Sequence, residues 1–67
     1  MQDYRPKVER ALRSIGCHPV DHAGEGVWLW YSPRSLQTFT LDETIPTQSM
    51  GNEVLRLAGH TPIFSDI

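Results

Sequence analysis

The sequence predicts an α+β domain with the element order α-β-β-β-α, in which two helices pack on one face of a three-stranded antiparallel sheet. Amphipathic patterns near both ends of the chain predict the helices, and β-branched and aromatic runs between them predict the strands. Short connections between successive strands favour an antiparallel meander. Residues 1–67 form a single small domain, near the lower size limit for folding without metal ions or disulfides. The tail, residues 60–67, is either docked through Ile63 and Phe64 or flexible.

The first helix is predicted from apolar residues that recur along one face, comprising Tyr4, Val8, Ala11, Leu12 and Ile15. Asp3 is expected to be its N-cap, because a carboxylate there can accept a backbone N–H of the first turn. Pro6 suits that turn, and Gly16 is placed to end the helix in the left-handed conformation.

Three strands are expected between residues 17 and 41. The first covers residues 17 to 21 or 22, and Pro19 places it at a sheet edge because proline donates no ladder hydrogen bond. The second is "VWLWYS", residues 27 to 32, and the third is "LQTFTL", residues 36 to 41. The segment "SPRS" between them is expected to form a tight turn with Pro33 as its second residue.

The face of the second strand that meets the helices depends on its register with the third strand. Alternation separates two sets of side chains, which are Val27, Leu29 and Tyr31 on one face and Trp28 and Trp30 on the other. Phe39 and Leu41 are expected to meet the helices, because the opposite side of their strand carries threonines. We favour Val27 and Leu29 as inward residues, since tryptophan tolerates partial exposure. The tryptophans then form an exposed platform; in the alternative, both belong to the core.

The second helix is expected to begin at Gln48 or Ser49 and to end at Ala58. Thr47 or Ser49 is the expected cap, and Gly59 follows the last turn. Its buried stripe is expected to comprise Met50, Val54, Leu57 and Ala58, with Leu55 beside them.

Charge is unevenly distributed along this chain, whose net charge is −2. Residues 1–16 hold four cations and two acids, a net of +2, and residues 17–67 hold two cations and six acids, a net of −4. The first helix is therefore the basic surface, suited to a phosphate backbone or an acidic partner. The overall acidic balance counts against a dedicated nucleic-acid-binding protein.

Composition also limits the location and the chemistry of the protein. No apolar run approaches the roughly 18 residues of a membrane span, and the first residues lack the apolar segment of a signal peptide. The single Cys17 excludes an internal disulfide, which fits a reducing compartment. We expect a soluble cytoplasmic protein without membrane contact. No metal or cofactor is expected, because the soft ligands lack a metal-binding spacing; they are Cys17, His18, His22 and His60.

Several local signatures together resemble the HicA-type toxins of bacterial toxin–antitoxin pairs, which are small mRNA interferases with a double-stranded-RNA-binding-domain-like fold. In that family a first helix ends in glycine before an apolar strand, as "LRSIGCHPV" does here. A glycine turn, an aromatic strand, a third strand and a last helix closing with Ala-Gly then follow. The corresponding segments are "GEGVWLWYSP", "LQTFTLDETIP" and "EVLRLAGHTP", so the resemblance spans roughly residues 8 to 59.

The resemblance implies RNA as a ligand and an antitoxin as a protein partner, but the family's catalytic residue is missing. That residue is the histidine of a Gly-Ser-His turn, where this chain has Gly26 or Val27. Neither can transfer a proton, so His22 is the nearest catalytic candidate. An active enzyme would be an mRNA-interferase-type endoribonuclease. The sequence favours a binding protein with doubtful or lost ribonuclease activity.

The candidate contact residues are the cations of the first helix and the tryptophans. Phosphate contacts are expected from Arg5, Lys7, Arg10 and Arg13, and base stacking or partner packing from Trp28 or Trp30. The alternative function is a protein-interaction module that uses the aromatic sheet face. It would be a phage- or mobile-element-encoded inhibitor or the subunit of a homo-oligomer.

Overall fold

The computed structural model describes residues 3–64 and confirms the predicted α+β fold and its order of elements. The elements are α1 (Arg5–Ser14), β1 (His18–Gly24), β2 (Val27–Ser32), β3 (Gln37–Asp42) and α2 (Gln48–Leu57). The antiparallel sheet has the order β1-β2-β3, so β1 is an edge strand, as Pro19 predicted. The last three residues of the predicted tail, 65–67, lie outside the described residues. Between residues 3 and 64, no helix is long and apolar enough to cross a membrane.

Both helices end in the same left-handed glycine motif, which the sequence predicted for Gly16. Gly16 follows α1 with a φ of 90°, and the N–H of Cys17 donates to the carbonyl oxygen of Leu12 at 3.0 Å. Gly59 follows α2 with a φ of 81°, and the N–H of His60 makes the equivalent bond at 2.8 Å. These bonds satisfy carbonyl groups that the last turn of a helix otherwise leaves unpaired.

The start of α1 differs from the prediction that Asp3 is the N-cap. Tyr4 occupies that position, and Asp3 lies one residue earlier. The Asp3 carboxylate nevertheless accepts the N–H of Ile45 at 2.9 Å and that of Arg5 at 3.0 Å. The hydrogen bond from Ile45, which has the larger effect, and the one from Arg5 hold the pKa of Asp3 below its ordinary value of 3.8. Asp3 therefore joins the first turn of α1 to the segment before α2.

The connection between β2 and β3 is a four-residue loop, residues 33–36, and is longer than the predicted tight turn. Leu36 belongs to this loop rather than to β3, and its φ of 59° is left-handed. Its N–H donates to the carbonyl oxygen of Ser32 at 2.9 Å. The loop sets the register by placing Ser32 opposite Gln37.

This register turns the tryptophans towards the helices, so the expectation that Val27 and Leu29 face inward is wrong. Trp30 pairs with Phe39 and is only 1% exposed. Opposed residues in an antiparallel pair point to the same face, so a loop with an even number of residues places Trp30 beside Phe39. An odd number would have placed Leu29 there. The resulting core comprises Val8, Leu12, Cys17, Trp30, Phe39, Leu41, Ile45, Leu55 and Ala58.

Helix α2 begins at Gln48 and is capped by Thr47, as predicted, because the Thr47 hydroxyl accepts the N–H of Met50 at 3.2 Å. Its buried face is rotated from the predicted one. Leu55 is fully buried, whereas Met50 and Leu57 are 41% and 44% exposed. The helix packs through the side that carries Gly51 and Leu55, and Ala58, directly after its last turn, is also buried.

The tail docks on α2 through Phe64, whereas Ile63 remains largely exposed. The side-chain amide of Asn52 bonds to both the N–H and the carbonyl oxygen of Phe64, at 3.1 and 3.0 Å. The Phe64 ring meets Tyr4 edge-on, with centroids 5.1 Å apart. A Cβ at position 51 would lie 2.6 Å from the same ring, so the glycine at that position permits the docking.

Candidate functional site

Helix α1 carries three charged side chains on one side, which we call the charged row. Arg5 Nη2 and Arg13 Nε each lie 3.3 Å from a carboxylate oxygen of Glu9. Spacings of four residues bring these side chains together on the helix surface. The row contains two cations and one anion, so Glu9 orients both arginines while a net positive charge remains.

The charged row forms one wall of a groove between α1 and the sheet, which we call the α1 groove. The groove has a volume of about 180 Å³, and its other walls are Pro19, Trp28 and Trp30. A cavity of about 450 Å³ adjoins the same row and is also lined by Arg10. The structure therefore brings Arg5 and Arg13, predicted as phosphate contacts, together with both predicted stacking residues.

The two tryptophans contribute to this groove in different ways. Trp30 is buried, and the guanidinium carbon of Arg13 lies 5.2 Å from the centre of its ring. Trp28 is 39% exposed, and its ring packs on that of His22 with centroids 3.8 Å apart. The predicted platform of two exposed tryptophans on the open sheet face is therefore wrong. The alternative of a protein-interaction module stays a prediction, and of the two tryptophans only Trp28 is exposed enough to serve it.

Two N–H donors in the walls of the α1 groove have no acceptor among the described residues. They are Trp30 Nε1 and Arg5 Nε, and both atoms are buried. Buried donors without acceptors are costly, and most proteins satisfy them. Because both atoms are covered by other protein atoms, a ligand could reach them only after these side chains move.

The other two cations of α1, Lys7 and Arg10, lie on its exposed surface. Neither forms an ion pair with any residue between 3 and 64. Both line a shallow cavity of about 350 Å³, and Arg10 also borders the cavity beside the charged row. Positive charge therefore continues from the α1 groove around the helix.

His22 lies next to the groove but lacks the surroundings of a catalytic histidine. Its ring is exposed and stacked on Trp28, and none of the described residues hydrogen-bonds to it. A general acid or base acts on a substrate within hydrogen-bond reach, and a partner usually orients its ring. In the turn after β1, Gly26 has a φ of 71° and carries no group that could replace a histidine.

The remaining candidate metal ligands are dispersed. Cys17 is buried in the core, His18 Nδ1 lies 3.2 Å from the Gly16 carbonyl oxygen, and His60 Nδ1 lies 2.6 Å from that of Thr61. Within residues 3–64, no three His, Cys, Asp or Glu side chains are grouped in a way that could hold a metal ion.

Two residues of the groove were missed by the sequence analysis. Glu9 could have been found, because its spacing of four residues from Arg5 and from Arg13 is visible in a predicted helix. Pro19 could not, because its place in the groove depends on which face of the sheet the helices cover.

Comparisons with known proteins assign neither a family nor a function to this chain. No protein-family model, curated protein or solved structure matches the chain. The chain is a small α-β-β-β-α domain, and the groove beside its first helix is lined by both cationic and aromatic side chains.

Proposed function

We propose that this chain is a cytoplasmic, HicA-like RNA-binding protein that holds unpaired RNA along α1 and does not cleave it. The observation that carries the proposal is the position of Trp28. This half-exposed ring lies in the same groove as two arginines of α1. An aromatic ring beside cations is the arrangement by which proteins bind the bases and phosphates of single strands.

The phosphate contacts are assigned to α1. Lys7 and Arg10 are free to pair with phosphates, whereas Arg5 and Arg13 already share Glu9. Between two and four contacts give a slope of about −1.4 to −2.8 for the logarithm of the binding constant against that of salt concentration. Binding is therefore modest, and its salt dependence is smaller than that of proteins with about six to ten phosphate contacts. A modest affinity fits a protein whose total charge is negative.

The base contact is assigned to the exposed surface of Trp28. Its ring already stacks on His22, and a base on its free surface would extend that stack. Stacking of a base on an aromatic side chain contributes about 1 to 3 kcal/mol and tolerates any base. The protein is therefore expected to prefer unpaired RNA over a duplex, with little sequence preference.

The absence of cleavage in this proposal follows from the setting of His22. Cleavage next to a 2′-hydroxyl requires one group to accept a proton and another to donate one. The ring of His22 is packed on a tryptophan, and no described residue bonds to it as an orienting partner. His22 is thus assigned to base stacking rather than to proton transfer.

The binding test is a fluorescence titration of the full chain with a single-stranded RNA of about 12 nucleotides and with a hairpin. We expect the single strand to quench tryptophan fluorescence and to bind more tightly. The double variant Lys7→Glu/Arg10→Glu should weaken binding at least about tenfold. Its matched control, Arg34→Glu/Arg56→Glu, makes the same change in charge away from the groove and should bind normally. Equal weakening in both variants, or no quenching at all, contradicts the proposal.

The catalytic alternative is tested by incubating the protein with the same RNA. The parent chain should leave the RNA intact and should cause no growth arrest on expression. If the parent cleaves RNA and His22→Ala does not, His22 is a catalytic residue and the assignment to stacking is wrong.

A further inference from the structure

The two edges of the sheet differ in their protection against pairing with another strand. The edge strand β1 contains Pro19, the charged Asp21 and two irregularities in its pairing with β2. Strand β3 pairs with β2 in unbroken register, contains no proline and is charged only at its last residue, Asp42. Prolines, charges and bulges are the features that prevent edge strands from pairing, and β3 lacks most of them.

Exposed apolar side chains of α2 lie beside this unprotected edge. Met50 and Leu57 are 41% and 44% exposed, and they line a cavity of about 220 Å³ together with Val54 and Thr40 of β3. In a monomer, a surface helix ordinarily turns large apolar side chains such as these towards the core. The edge of β3 and this side of α2 therefore form one continuous surface.

We propose that this surface binds a second copy of the chain, with the two β3 strands pairing antiparallel in a six-stranded sheet. The inference goes beyond the proposed function and is independent of it. A six-residue strand edge alone is smaller than the roughly 800 Å² that each partner buries in a stable interface. The apolar side chains of α2 supply the additional area.

The sequence of β3 is complementary to itself in such a pair. Opposed residues must share a face, so a two-fold axis has to pass through a residue position and not between two positions. An axis at Phe39 places Thr38 opposite the partner's Thr40, and Gln37 opposite the partner's Leu41. No like charges oppose each other, and threonine pairs are favourable neighbours across strands.

The side of α2 is complementary to itself in the same symmetry. A two-fold axis perpendicular to the sheet makes the two α2 helices antiparallel neighbours. Antiparallel pairing centred near Val54 brings Met50 close to the partner's Leu57 and Glu53 close to the partner's Arg56. In one protomer Glu53 and Arg56 are 3.4 Å apart and well exposed, so both are free to exchange partners. The same two-fold symmetry therefore pairs the β3 edges of the two copies, the apolar side chains of their α2 helices and the opposite charges on those helices.

The experiment is sedimentation equilibrium of the full chain without RNA, from about 5 to about 500 μM. We expect the mean mass to rise from 7.6 kDa towards twice that value. Thr38→Lys/Thr40→Lys places lysines opposite each other and should leave the protein monomeric. The control Val20→Lys/Ala23→Lys adds the same charge to β1 and should still dimerise. Melting curves of both variants establish that the monomer is folded.

A charge exchange on α2 tests the symmetry itself. Glu53→Arg and Arg56→Glu should each weaken dimerisation by about tenfold, because each places like charges across the axis. The double exchange should restore it, and the two single variants mixed together should form a heterodimer. A mass of 7.6 kDa at all concentrations overturns the proposal. A dimer that survives both threonine substitutions overturns it equally, since the contact would then lie elsewhere.

Discussion

Two ends of the same sheet face show how differently this small domain uses similar residues. At the end near the β2–β3 loop, Trp30 is 1% exposed beneath the helices. Two residues earlier on the same strand and the same face, Trp28 is 39% exposed and lines the α1 groove. Both helices end at the loop beside Trp30. Pro33 lies against the glycine after α1, and Arg34 against the glycine after α2. Across from Trp28, Leu41 is 0% exposed, so only the β1 side of this end is open, and the α1 groove lies there beside Pro19.

The largest expected effect comes from exchanging the two tryptophans for alanine. Trp30→Ala removes a buried ring and should cost about 3 to 5 kcal/mol, enough to unfold much of a domain of this size. Trp28→Ala should cost less, about 1 to 2 kcal/mol, because the residue is already 39% exposed and its ring packs on His22. Urea unfolding followed by circular dichroism measures both. Similar losses in the two variants would mean that the two ends are equally packed.

The covered end also depends on a buried hydrogen bond from the Ser32 hydroxyl to the carbonyl oxygen of Ala58, at 2.6 Å. Ser32→Ala leaves that carbonyl without this donor and should destabilise the fold by about 1 to 3 kcal/mol. Ser49→Ala, at an exposed position in α2, is the control and should change stability by less than about 0.5 kcal/mol. If Ser32→Ala is equally silent, the bond does not hold α2 to the sheet.

A gain in stability is expected at the loop between these elements. Leu36 is left-handed and 74% exposed, so it bears conformational strain without compensating burial. Leu36→Asn should stabilise the protein by about 1 kcal/mol, because asparagine tolerates this conformation. The midpoint of thermal unfolding should rise by several degrees. A fall would indicate that the leucine makes a stabilising contact, such as one within a dimer, and dilution distinguishes that case.

The smallest effect concerns the groove end, where Asp3 joins α1 to Ile45. Its pKa is lowered in the folded state, so its contribution to stability is present above about pH 4 and is lost as the pH falls through the folded value. Asp3→Asn should therefore lower the melting temperature slightly at neutral pH. The difference from the parent should shrink as the pH falls through the folded pKa of Asp3. A difference that persists in acid would show that the charge of Asp3 is not what matters.

The order of elements could be predicted from the sequence because it depends on local patterns. The stripe of α1, the two terminal glycines and the edge proline each act within a few residues of their own position. The face of β2 that meets the helices could not be predicted from local patterns. It depends on the length of the loop between β2 and β3. The sequence predicted Leu36 as the first residue of the third strand, but Leu36 adopts a left-handed conformation and belongs to the loop.

The candidate site shows the same division. The cations of α1 were predicted because helical spacing places them on a surface, and the structure confirms that they are exposed or half-buried. The burial of Trp30 was not predicted, since it requires the pairing of Trp30 with Phe39. The groove exists because one tryptophan is covered and its neighbour is not, which is a property of tertiary packing alone.

The four-residue loop has a consequence for how this protein can change in evolution. Surface loops generally accept insertions and deletions of any length. Here the gain or loss of one residue between Ser32 and Gln37 would exchange the two faces of β3 relative to β2 and expel either Trp30 or Phe39 from the core. Changes of two residues would preserve the core. Descendants of this chain should therefore vary the length of this loop only in steps of two.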